Sequence, residues 1–252
     1  MFLLSPRFYI MIKNRQKKVV LCRKLPVIEY KGAAEKMAEA YRILYREGSS
    51  ELVEKKSRFI ADIRPVRSEE EALAFIEETR KRYWDARHHC FAYIIGDRGQ
   101  TARCSDDGEP SQTAGKPMMD VLAGEKLHDV CAVVTRYFGG VLLGTGGLVR
   151  AYSRAVKEGL LNCVIVEKKP GAKLEVTVDY NGAGKIQYIA AQESINLLDS
   201  QYTEKVAFTF LVPEEKEKRF RSLITEAAGG RAKIWKVDEV YYGRADGELI
   251  VF

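Results

Sequence analysis

The chain has 252 residues, 46% of them hydrophobic, and 41 Lys/Arg against 35 Asp/Glu give it a formal charge of +6. That length accommodates two domains of about 100–150 residues each. Its longest unbroken apolar stretches, such as residues 130–134, fall far short of the roughly 20 residues a membrane-spanning helix requires, so no bilayer crossing is expected.

The five cysteines, Cys22, Cys90, Cys104, Cys131 and Cys163, form no C-x-x-C pair and make an odd count. This excludes a complete disulfide framework and suits a reducing, cytoplasmic compartment. The positive charge is unevenly spread. Residues 1–36 hold nine Lys/Arg against Glu29 and Glu35, a net of +7, whereas the rest of the chain is at −1. A nearly neutral body lacks the broad field that drives sequence-independent nucleic-acid binding, so any such binding has to use a local patch.

Residues 1–36 contain Pro6 and Pro26 and show no regular hydrophobic period. They read as a poorly ordered basic extension without the apolar centre or cleavage site of a secretory signal. Two other readings stay open: a start at Met37, or a basic arm that touches RNA. A helical pattern begins near Ala33.

Residues 51–66 read as two strands of a hairpin, interrupted at Lys55-Lys56-Ser57-Arg58 and stopped by Pro65. Ser68 followed by three glutamates is an N-cap with an acidic first turn, and Ala72, Phe75, Ile76 and Thr79 continue one helical face. A strand follows over 89–95, then a long polar loop over 97–116, then a short helix over 117–123. The continuous apolar core of 130–137 marks a strand buried on both faces, ended by Gly139-Gly140. Residues 145–162 form a helix that opens on glycines and turns Leu148, Ala151, Tyr152, Ala155 and Gly159 inward.

Lys168-Lys169-Pro170-Gly171 is charged and turn-forming. It is the expected boundary between a first domain at 37–168 and a second at 171–252. Beyond it, strands at 174–178, 200–204, 206–212 and 234–242 alternate with helices at 181–197 and around Phe220, Leu223, Ile224 and Ala227. The resulting order, βαββαβ, is ferredoxin-like, and the fold class is α+β.

Three groups of residues have the chemistry of a site. Gly144-Thr145-Gly146-Gly147 opens a helix, where main-chain N–H groups and the helix dipole can hold a phosphate; alternatively, these glycines serve only a tight turn. The absence of a following Lys-Ser/Thr argues against a P-loop. Arg136-Tyr137-Phe138, just before Gly139-Gly140, offers a guanidinium and aromatic faces, and Arg150, Arg154 and Lys157 share one helical face downstream. The alternative is a solvated helix face with the aromatics in the core. Asp106, Asp107 and Glu109, beside Ser111 and Thr113, can gather Mg²⁺ or form a self-capping acidic turn. No general base or nucleophile accompanies them, which leaves catalysis an open question. His88, His89, Cys90 and Cys104 have the wrong spacing for a common zinc site, and adjacent strand residues point to opposite faces. The run Arg80, Lys81, Arg82, Tyr83, Trp84 and Arg87 is a further basic and aromatic surface that can touch RNA.

Gly115, Met118-Met119, Leu122, Leu127, Val133-Val134, Arg136-Tyr137-Phe138-Gly139-Gly140 and Leu143-Gly144 fall at the spacing of the YigZ/IMPACT family. The segments KKSRFIA (55–61) and DARHHCFAY (85–93) resemble it too, and the likeness runs from about Tyr41 to the end of the chain. The resemblance implies a ribosomal-protein-S-five domain-two-like α/β sandwich, an architecture shared with the fourth domain of elongation factor EF-G. It implies a second domain similar to EF-G's fifth. By the same resemblance the protein is expected to regulate translation by binding RNA, the ribosome or a translation-related protein, with no DNA specificity. Eukaryotic members of the family restrain a kinase pathway that senses amino-acid starvation. A nucleotide-binding or phosphoryl-transfer enzyme, and a protein-interaction module without RNA contact, are the alternatives.

Overall fold

The computed structural model describes residues 39–252, so the basic extension expected at 1–36 lies outside the described residues. The helical pattern expected from Ala33 also begins outside the described residues, and the first described element is strand β1 (Tyr41–Arg46). Next come β2 (Gly48–Glu54) and β3 (Ser57–Pro65), whose register pairs Glu54 with Ser57. Lys55 and Lys56 at the tip take positive φ of 45° and 67°, matching the twist-compatible two-residue hairpin turn. Helix α1 (Glu69–Arg82) starts where Ser68 Oγ accepts from the Glu71 N–H at 3.3 Å, and it buries the face the sequence indicated: Ala72, Phe75, Ile76 and Thr79.

Strand β4 (His88–Ile95) is followed by β5 (Thr101–Ser105), a strand inside what had read as an uninterrupted loop. Helix α2 (Gly115–Gly124), the short β6 (Leu127–His128), β7 (Val130–Tyr137) and α3 (Thr145–Leu161) complete this half. The antiparallel sheet runs β2-β3-β7-β4-β5. Alternation along β7 explains its two-sided burial. Ala132 and Val134 face a core made with α2 and α3, while Cys131 and Val133 face Phe75 and Ile76 of α1.

Strand β8 (Val164–Val178) then leads through α4 (Tyr180–Gln192), β9 (Asn196–Tyr202), β10 (Val206–Pro213), α5 (Glu217–Ala227) and β11 (Lys233–Ala245) to β12 (Glu248–Val251). The order β9-β10-β8-β11, antiparallel throughout, is the ferredoxin-like arrangement. Its core packs Leu174, Val176, Phe208 and Phe210 against Ile186 of α4 and Phe220 and Ile224 of α5.

Lys168-Lys169-Pro170-Gly171 is not a turn: it lies within β8. On one edge β8 pairs with β1 up to Lys168 and with β10 from Gly171 onward, so Pro170 falls in the gap between the two partners. Its missing N–H costs the ladder nothing on that side. On the other edge β11 runs past the same point, pairing Tyr241 with Pro170.

At this seam the Lys168 ammonium sits 5.2 Å from the Tyr41 ring centroid, 5.1 Å from Tyr241 and 4.6 Å from Phe252. Burial lowers its pKa, which the Asp129 carboxylate partly opposes. Lys168→Ala is expected to cost about 2 kcal/mol in urea unfolding, the scale of a desolvated cation–π contact, and Lys168→Arg to recover part of it.

Candidate functional site

One end of the five-stranded sheet collects most of the residues singled out in the sequence. There β7 ends beside the start of β3, with Arg58 opposite Tyr137. The β2–β3 turn folds against Gly139 so closely that a Cβ at this glycine would meet the Lys56 carbonyl carbon at 2.0 Å. The Gly139 N–H donates to Ser57 Oγ at 3.1 Å and fixes the chain's exit from the strand.

Arg136, read as a phosphate-binding guanidinium, is only 6% exposed. Its Nη1 donates to Glu109 Oε1 at 2.6 Å, and its guanidinium stacks 5.4 Å from the Phe59 ring. Tyr152 Oη donates to the same Glu109 oxygen at 2.8 Å, and burial holds that hydroxyl protonated far above its ordinary range. Cys90 Sγ lies 3.4 Å from Tyr152 Oη and donates to the Asp106 carbonyl at 3.0 Å. Arg136 therefore belongs to a buried polar network beneath the site.

Tyr137 is half-buried: its hydroxyl donates to Asp85 Oδ1 at 2.7 Å, and burial together with that carboxylate pushes its pKa up to about 12. Phe138 is exposed. Gly140 and Gly144 have φ of 82° and 72°, conformations natural to glycine, and each has open space where a side chain would stand. Gly144 precedes α3, whose first turn has no side-chain cap. Thr145 and Gly146 are solvent-exposed and Gly147 is partly so.

Arg150 folds back along α3, so that a Cβ at Gly146 would lie 3.6 Å from its Nη1. Arg154 is exposed and pairs with Glu158 at 2.7 Å. Gly147, Arg150 and Arg154 line a cleft of about 250 Å³ together with Leu52, Glu54, Lys55, Leu143 and Ala151. Lys55 is the residue that reading the sequence missed as part of this site. The adjacent pair Lys55-Lys56 was visible, but only the hairpin register turns it toward α3. The cleft thus gathers Lys55, Arg150 and Arg154, the last already paired with Glu158, together with Glu54 beside a helix start.

The acidic segment has a different role from the helix mouth. Asp106 accepts from the N–H groups of Gln112, Ala114 and Gly115 at 2.8, 2.9 and 2.8 Å, which organises the start of α2. Burial alone would raise its pKa, but these main-chain donors outweigh burial and lower it. Asp107 accepts from the His89 N–H at 2.7 Å and from Arg80 at 3.0 Å. Thr113 Oγ1 donates to the Pro110 carbonyl at 2.6 Å, and Ser111 is exposed.

The three carboxylates thus face three different sets of partners. Among the described residues no group of three His, Cys, Asp or Glu is placed to hold a metal ion. His88 and His89 hydrogen-bond to the carbonyls of Asp107 and Tyr83, Cys90 is buried and Cys104 is exposed.

The Impact N-terminal domain matches residues 55–160, which contain the cleft residues Lys55, Leu143, Gly147, Arg150, Ala151 and Arg154 but not Leu52 or Glu54. A domain of unknown function, DUF1949, matches residues 176–231. The chain is 40% identical to IMPACT family member YvyE of Bacillus subtilis (strain 168) over 209 residues, covering 83% of this chain and 96% of that one. It is 36% identical to IMPACT family member YigZ of Escherichia coli (strain K12), over 73% of this chain and 92% of YigZ. A crystal structure described only as that of a hypothetical protein matches with a TM-score of 0.51 at 34% identity, covering 80% of this chain and 99% of that one. Likeness on this scale, running through both halves of the fold, makes this chain a member of the IMPACT family.

Proposed function

We propose that this protein is a cytoplasmic, translation-associated regulatory protein that binds RNA, free or within the ribosome, through the cleft between the β2–β3 turn and the start of α3. The observation that supports this reading most is that Lys55, Arg150 and Arg154 line one cleft with Gly147. The cations supply charge, and the uncapped first turn of α3 supplies main-chain N–H groups, the combination that suits a phosphate. The body of the chain carries almost no net charge, which gives a local cationic cleft its weight.

The double variant Arg150→Glu, Arg154→Glu is expected to lower co-sedimentation with ribosomes at least about tenfold at low salt. Removing two phosphate contacts on single-stranded RNA should also flatten the plot of log affinity against log salt by about 1.4. Unchanged co-sedimentation at low salt would sink the proposal. Exposed Phe138, Val141 and Leu142 on the loop after β7 favour a second reading, a docking surface for a translation-related protein. Pull-down with and without nuclease separates the two.

A further inference from the structure

Trp84 is 82% exposed and Phe138 is 53% exposed. The two belong to different loops that the fold joins at one point: Tyr137 Oη holds Asp85 at 2.7 Å, so Trp84 and Phe138 each adjoin a member of one hydrogen-bonded pair. Phe138 is backed on one side by the Arg136 guanidinium, 5.6 Å from its ring, which orients the ring. Lys55, Lys56, Lys81, Arg87 and Arg150 are exposed around this end of the sheet and make no ion pair among the described residues.

Resting on the reading that the adjacent cleft holds RNA phosphates, we propose that Trp84 and Phe138 are stacking platforms that make the ligand single-stranded RNA. Flat rings standing in solvent beside unpaired cations suit unstacked bases joined by phosphates. A duplex keeps its bases stacked on one another and offers such rings nothing. An acidic protein partner would satisfy the cations but would not need two isolated aromatic faces.

The chain contains two tryptophans, Trp84 and Trp235, so Trp235→Phe leaves Trp84 as the sole indole. This variant would be titrated with oligouridine, with a duplex RNA of equal length and with inorganic polyphosphate. Oligouridine is expected to quench the emission, whereas duplex and polyphosphate leave it unchanged. Trp84→Ala is expected to weaken oligouridine binding about tenfold, equivalent to about 1.4 kcal/mol, and Trp84→Tyr to restore most of it.

Unquenched emission, with oligouridine binding that still depends on Arg150, would overturn the stacking platform and leave the phosphate cleft standing. Failure of every RNA to bind would overturn both. Ribosome association that survives nuclease but is lost in Trp84→Ala would assign the rings to a protein and overturn the inference. Because Trp84 lies almost wholly in solvent, its replacements should unfold at the parent's temperature, which thermal denaturation verifies.

Discussion

Glu109→Ala is expected to destabilise the fold by about 3–5 kcal/mol, the cost of leaving a buried charge without its partner. The side chains of Arg136 and Glu109 are only 7% and 4% exposed, so water cannot replace the lost carboxylate. Arg136 Nε already has no hydrogen-bond partner among the described residues, and Nη2 reaches Ser57 Oγ only at 3.5 Å. Removing the carboxylate strips the guanidinium of its one short contact. In a protein of this size the loss corresponds to a fall on the order of 10 °C in Tm.

Two companion variants separate charge from geometry. Tyr152→Phe removes one hydrogen bond to Glu109 and should cost about 1 kcal/mol. Replacing Glu109 and Arg136 together by methionine should recover much of the loss, since neither charge is then stranded. A loss below about 1 kcal/mol for Glu109→Ala in urea titration would show that solvent reaches the pair.

Gly139→Ala is expected to cost about 3 kcal/mol, because the added carbon meets main chain rather than a side chain that can turn aside. The clash falls on the Lys56 carbonyl and on Ser57 N, at 2.0 Å and 2.4 Å, so the hairpin turn itself has to move. That movement also pulls Lys55 away from the cleft. If the cleft holds RNA as proposed, the variant should lose RNA affinity as well as stability. The neighbouring Gly140→Ala is the control: it has open space but a φ of 82°, and should cost only about 1–2 kcal/mol. Equal losses at the two positions in thermal unfolding would contradict the steric account.

Wherever local pattern and tertiary packing demand the same thing, the sequence was legible. The β2–β3 hairpin, the Ser68-capped helix, the buried β7 and the inward face of α3 are all local signals that the structure bears out. The ferredoxin-like order in the second half was equally readable. What escaped notice lacked such a signal. β1 and β6 are short strands of mixed character that pair with each other, β1 also pairing with β8. β5 is a polar edge strand that depends on β4 for its hydrogen bonds. The Pro-Gly pair in β8 read as a turn because local chemistry cannot see that a proline lies where neither β1 nor β10 asks for its N–H. At the site, the glycines and the α3 arginines were visible, whereas the sinking of Arg136 into an ion pair with Glu109 depends on a contact between residues 27 positions apart.

The unbroken run of β8, flanked by β11 past the change of partner, has a mechanical consequence. A hinge needs a stretch of backbone whose hydrogen bonds are free to rearrange, and here the chain passes between the two cores inside a ladder. Cutting the gene at residue 170 would therefore yield two fragments with torn sheet edges.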